Sequence, residues 1–230
     1  VDTALTTFFD VDNTLLDNDR AKRGLDAGLI DLLGADGAAS FWAWYEAVRS
    51  ETGKVNIPLS MARYDAELER AAIDPAERRR LRFALADFVM TFPYAEFVFP
   101  GALEAVAHAK ALGRTAILSE GDPTFQPSKI WRSGLDNAVQ GNVLVFDRKA
   151  EHFMEAAAAF PADHYVLVED KPDLLQEFRR QFAGIGTTVL IRQGKYGRVE
   201  LTEPLPDIVL DDVGEFVRFG ADDLVAAARR

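Results

Sequence analysis

From Pro100-Gly101 onward, short apolar runs alternate with helical stretches of roughly ten residues, and few folds accommodate that rhythm. Ala102–Leu112 reads as a helix stopped by Gly113, and Thr115–Leu118 as a short strand. Asp122-Pro123 starts a second helix, which ends at Gly134. Val143–Phe146 reads as a strand, Lys149–Phe160 as an alanine-rich helix, His164–Val168 as a strand and Pro172–Phe182 as a helix. Thr187–Ile191 and Asp207–Leu210 complete the strands, and two short helices follow. Strands separated by helices pair in parallel through right-handed crossovers. The expected fold is therefore α/β, a Rossmann-like three-layer core with a parallel sheet covered on both faces. In such sheets ligands bind beyond the carboxyl ends of the strands.

The first strand of that sheet is expected at Ala4–Phe9, an apolar run holding two threonines that ends abruptly in Asp10 and Asp12. On an extended backbone, residues two apart leave on the same side. Two carboxylates that close repel, so a cation is expected between them. Thr14 adds a short hydroxyl donor suited to an oxyanion, and the group could hold a hard metal and a phosphate together. A calcium loop fits less well: Leu15 stands where its invariant glycine belongs, and Ala21 where its bidentate glutamate belongs.

After Asp17 the pattern turns helical. Phe41, Trp44, Tyr45 and Val48 fall at helical spacing, with Gly53, Asn56 and Pro58 marking a loop. Asp74-Pro75-Ala76-Glu77 is a helix start, and Leu81, Leu85, Phe88, Val89 and Phe92 form an apolar stripe behind it. Residues 17–96 are thus expected as an all-helical insert, with 1–16 and 97–230 forming a discontinuous core. A net charge of −11 disfavours a nucleic-acid partner. The absence of cysteine removes disulfides and thiolate chemistry, and no apolar run approaches membrane-spanning length. The expectation is a cytoplasmic protein with no membrane partner, a monomer or homodimer.

Asp10-Val11-Asp12-Asn13-Thr14 after a hydrophobic strand resembles the first motif of the haloacid dehalogenase superfamily of aspartyl-phosphate phosphohydrolases. Three further strand ends extend the resemblance. Ser119 matches the second-motif hydroxyl and precedes a glycine turn, Glu120-Gly121, that leads into a helix. Lys149 matches the third-motif lysine and stands at a helix start, where a cation opposes the dipole. Glu169-Asp170 matches the acidic fourth motif, with Asp173 read as a helix N-terminal charge. The match covers residues 1–16 and 97–230, and the insert looks like the superfamily's helical cap.

The resemblance implies a Mg²⁺-dependent phosphohydrolase acting on a small phosphorylated metabolite. Asp10 would be the nucleophile and Asp12 the acid and base. Ser119, Lys149, Thr14 and amides near Asp12 and Glu120 would bind phosphate; Asp10, Asp12 through its backbone carbonyl, and Asp170 would hold the metal, with Glu169 as a ligand or its neighbour. Relatives that cleave carbon–halogen bonds generally lack an acid matching Asp12. A phosphomutase uses the same residues, and a phosphate-binding regulator is the reading from another class. Lys129 and Lys171 rival Lys149, but Lys129 falls inside a helix. The loop Arg192–Gly197 is read equally as a substrate contact or a solvated basic turn. His108, His152 and His164 lack metal-ligand spacing. Phe41, Trp42, Trp44 and Tyr45 are read as helical core, and Arg49 and Arg63 as surface pairs.

Overall fold

In the computed structural model, which describes residues 4–53, 55–71 and 73–228, the first apolar run becomes strand β1 (Leu5–Phe9), with every residue buried. Three long helices follow: α1 (Asn18–Thr52), α2 (Ile57–Arg70) and α3 (Pro75–Thr91). The Asp17 side chain accepts from the Arg20 amide to cap α1, and Gly34 breaks that helix with a left-handed φ of 74°. Asn56 and Pro58, expected in a loop, instead start a helix. The Asn56 side chain accepts from the Leu59 amide, and Pro58 occupies the first turn, where its missing N–H costs nothing. These helices enclose their own apolar cluster, including Leu29, Phe41, Tyr45, Tyr64, Leu68 and Leu85.

A 3₁₀ turn, Tyr94–Phe97, returns the chain to the sheet. There the Asp17 amide donates to the Phe97 carbonyl at 2.8 Å, so the outgoing and returning segments run side by side. Next come α4 (Ala102–Leu112), β2 (Arg114–Glu120), α5 (Phe125–Ser133), α6 (Leu135–Ala138) and β3 (Val143–Phe146). The expected helix Lys149–Phe160 is divided into a 3₁₀ turn, Lys149–His152, and α7 (Phe153–Ala159). Then follow β4 (His164–Glu169), α8 (Pro172–Gln181), β5 (Gly186–Ile191), β6 (Ile208–Leu210) and α9 (Ala221–Ala227).

All strand pairs are parallel, in the order β3-β2-β1-β4-β5-β6. Alternation along each strand fills both faces. Phe9, Ile117, Val168 and Val189 pack towards α4, while Phe8, Leu118, Leu167 and Leu190 pack towards α7 and α8. The strand order reverses between β1 and β4, which opens a crevice at their carboxyl ends. Among the described residues, no helix is long and apolar enough to cross a membrane.

Candidate active site

The sheet register assembles the centre of the site. Phe9 lies opposite Val168, so the next residues, Asp10 and Glu169, leave the sheet side by side at the reversal point. The Asp10 amide still donates to the Val168 carbonyl at 2.9 Å, which holds the nucleophile candidate against β4. Lys149 comes from the far side of β2. Its side chain is fully buried; its ammonium donates to Asp10 Oδ1 and to the Leu118 carbonyl at 3.3 Å, and lies 2.5 Å from Glu169 Oε2. Glu169 Oε1 accepts the Asp170 and Lys171 amides, each at 3.1 Å.

Buried Lys149 pairs with two buried carboxylates, and a third, Asp170, lies beside them. Ligand oxygens of Asp10, Glu169 and Asp170 lie within 4.8 Å of one another. Both carboxylate oxygens of Asp170 are buried without a hydrogen-bond partner, as is the Thr14 hydroxyl. Burial, then the charges of Glu169 and Asp10, push the Asp170 carboxyl up to about 10. Burial and Glu169 raise Asp10 to about 6, against the pull of Lys149. Burial also opposes the charge on Glu169, but Lys149 and Lys171 hold its carboxyl below the usual range. Lys149, disfavoured by burial, is pushed above its ordinary value by Asp10 and Glu169. Orphaned oxygens and all-carboxylate donors at this spacing fit a hard divalent cation.

Asp12 stands at the rim. Its carboxylate takes both its short contacts from Lys129, at 2.5 and 2.7 Å, and a weaker one from Gln126 at 3.3 Å. Gln126 also donates to the Ser119 hydroxyl at 2.9 Å, linking Ser119 to the acid. Lys129, placed by its sequence inside a helix, belongs to the site: it is 5% exposed, and its ammonium also reaches Asn18 of α1 at 3.5 Å. Its position on α5 beside Gln126 and Ile130 puts it on that helix's buried face.

The turn after Ser119 offers fewer free amides than its glycine suggests. Gly121 donates to the Phe146 carbonyl at 3.0 Å, and Asp122 accepts from Thr124 at 2.9 Å and Phe125 at 2.8 Å. The Glu120 carboxylate accepts from Lys171 at 3.3 Å.

Above the floor opens a cavity of about 410 Å³ whose wall includes Asp12, Lys129, Tyr94, Arg49, Lys195 and Tyr196. The loop Arg192–Gly197 therefore faces the site. Gly194, at a φ of +65°, packs so closely on Asn13 that a Cβ there would lie 2.5 Å from the Asn13 side chain. Asn13 itself adopts a φ of 63°, and its side-chain oxygen accepts the Asp19 amide at 3.2 Å. Arg49 pairs with Glu46 at 3.1 Å while lining the cavity, whereas Arg63 pairs with Glu51 at 3.1 Å. His108 bonds the Phe219 carbonyl, His152 bonds Glu155 and His164 bonds Thr187. Phe41 and Tyr45 are buried in the helical cluster, with Trp42 and Trp44 packed against it.

A solved structure of a Burkholderia xenovorans LB400 protein assigned to the haloacid dehalogenase-like hydrolases is similar to this chain. The two are 35% identical over 96% of this chain and 99% of the other, with a TM-score of 0.83. The fold also matches YfnB from Bacillus subtilis, a magnesium-bound protein, at 18% identity and a TM-score of 0.58, covering 94% and 98% of the two chains. An L-2-haloacid dehalogenase from Xanthobacter autotrophicus with covalently bound chloropropionic acid matches at 16% identity and a TM-score of 0.57, covering 93% and 96%. A scan against family models found no match, and neither did a search of curated proteins.

Proposed function

Because the chain belongs to the haloacid dehalogenase-like hydrolases, we propose that it hydrolyses small phosphomonoesters through a phosphoryl group carried on Asp10. The observation that carries this reading is the division of labour within one turn. Asp10 is buried against Lys149, while Asp12 is exposed enough to meet a leaving group and has its own lysine, Lys129. An alkoxide needs a proton as it departs; a halide does not. An acid at Asp12 therefore serves ester cleavage and is idle in dehalogenation.

In the first step an Asp10 carboxylate oxygen attacks phosphorus, and the bond to the ester oxygen breaks with its electron pair. That oxygen takes the proton of the Asp12 carboxyl. In the second step Asp12, now a carboxylate, takes a proton from water. The water oxygen displaces Asp10 from phosphorus, leaving inorganic phosphate and the free aspartate. Lys149 offsets the charge of Asp10 and Glu169, and with Ser119 it stabilises the equatorial oxygens. Asp10, Asp170 and Glu169, with the Asp12 carbonyl, are the proposed Mg²⁺ ligands; magnesium binding by the similarly folded YfnB supports that choice. Bound there, Mg²⁺ would supply Lewis-acid charge neutralisation at the phosphoryl oxygens. The helices α1–α3 act as a cap that excludes water and bulky esters.

The test is to assay an aryl phosphate, a panel of metabolite phosphates and 2-chloropropionate, each with Mg²⁺ and with chelator. Phosphate release that requires Mg²⁺ is expected. Halide release that persists in chelator, without phosphate release, would overturn the reading.

A further inference from the structure

The cavity beside Asp12 exceeds what a phosphoryl group fills, and its wall carries slightly more cations than acids although the chain as a whole carries −11. Lys22 and Arg49 reach the rim from α1, and Lys195 from the loop after β5. Glu46 is the acid for both α1 cations, 3.7 Å from Lys22 and 3.1 Å from Arg49. Lys195 makes no ion pair among the described residues; its ammonium rests 4.7 Å from the centre of the Tyr196 ring, which Lys171 also approaches at 5.9 Å. Three of the five acids on the same wall have close donors: Lys129 holds Asp12, Lys171 holds Glu120, and backbone amides hold Asp122, while Asp19 has the Asn13 side-chain amide at 3.5 Å and Asp147 is the fifth.

The placement of Lys195 is built into the fold. Gly194 is pressed against Asn13, one residue from Asp12, so the loop is registered to the catalytic turn. Lys22 is held too, its ammonium 4.8 Å from the Tyr45 ring centre and 5.1 Å from that of Trp42. A substrate with its phosphoryl group at Asp10 thus turns its remainder towards three cations whose one ion-pair partner among the described residues is Glu46. A neutral remainder gains little there, whereas an anion gains charge-assisted hydrogen bonds in a partly desolvated cleft.

We propose that Lys195, Arg49 and Lys22 form a subsite for a second anionic group, so that the substrates are small phosphomonoesters bearing a carboxylate or a second phosphate. The inference rests on the phosphohydrolase reading above and narrows its substrate class. Binding at this rim is made in the ground state as well as the transition state, so it acts mainly through KM.

The experiment compares matched esters on the Mg²⁺-supplemented enzyme. 3-Phosphoglycerate against glycerol 3-phosphate tests a carboxylate, and fructose 1,6-bisphosphate against fructose 6-phosphate tests a second phosphate. A kcat/KM ratio of about tenfold or more in favour of the charged partner is expected in at least one pair, as one charge-assisted contact supplies. Whichever pair shows it identifies the anion. Lys195→Gln and Arg49→Gln should each pull that ratio towards one, Lys195→Arg should retain most of it, and added salt should shrink it. Hydrolysis with ratios at or below one in both pairs overturns the subsite and leaves the phosphohydrolase standing. A ratio untouched by both glutamine variants also overturns it. No hydrolysis of any ester removes the phosphohydrolase reading and the subsite with it.

Discussion

At the floor of the site, Asp10 and Glu169 share the buried Lys149, and both oxygens of the neighbouring Asp170 lack a hydrogen-bond partner. At the rim, two residues along the same turn, the Asp12 side chain is 31% exposed and is held by Lys129. The floor has more buried acid than base, which suits the cation and phosphoryl group of the proposed reaction. The rim has its acid already paired, and on the proposed mechanism the Lys129 clamp must loosen before Asp12 can exchange a proton. In the proposed mechanism one region binds and the other moves a proton, although both aspartates sit in a single tight turn.

Substitution should separate the two regions, with the largest loss at the floor. Asp10→Asn removes the nucleophile and should cut turnover by about 10⁴-fold or more in a steady-state phosphate-release assay. Retention of wild-type turnover would mean that another group attacks phosphorus. Asp12→Asn should cost about 10²–10⁴-fold, the usual range for lost general acid–base catalysis. Its deficit should be greater on alkyl than on p-nitrophenyl phosphate, whose leaving group departs without a proton. An equal deficit on both would place Asp12 outside leaving-group protonation.

The same contrast predicts different stabilities. Lys149→Met strands buried carboxylates, and chelated protein should lose about 3–5 kcal/mol in a denaturant titration. Lys129→Met leaves Asp12 near water and should cost about 1 kcal/mol. Comparable losses would erase the distinction between floor and rim.

A smaller effect follows from pH. The folded carboxyls of Asp10, near 6, and Asp170, near 10, lie above the ordinary value of 3.8. An acid whose folded value is raised favours folding most below its unfolded value, and that contribution is lost as pH climbs through the folded one. In chelator, the Tm contribution of these groups should therefore decline as pH rises above 3.8, until about 6 for Asp10 and on towards 10 for Asp170. Saturating Mg²⁺ takes the place of those protons and should flatten the decline, most visibly at the alkaline end. A Tm profile identical with and without Mg²⁺ would argue against a metal at the floor.

The floor was legible in the sequence because each of its residues interrupts a pattern at a strand end. Asp10 and Glu169 each close an apolar run, and Lys149 stands where a helix start disfavours a cation. The rim was harder to read. Gln126, Lys129 and Ser133 share the buried face of α5 with Ile130, at helical spacing. Polar residues on a buried stripe were the available signal, masked by the ordinary look of a lysine in a helix. Pro58 resembles a loop marker because proline both ends and begins helices; the Asn56 cap decides for a beginning. The place of Arg192–Gly197 depends on Gly194 meeting Asn13, a contact between residues far apart in the chain that no local pattern encodes.

The central claim, that Asp10 carries the phosphoryl group, is tested most directly by trapping it. Enzyme turning over a radiolabelled phosphomonoester with Mg²⁺ is quenched rapidly in acid, digested, and its labelled peptide identified. The account predicts label on the peptide containing Asp10, released by hydroxylamine as an acyl phosphate is, and absent from Asp10→Asn. Label on another residue, or hydrolysis with no labelled enzyme at any quench time, would contradict it.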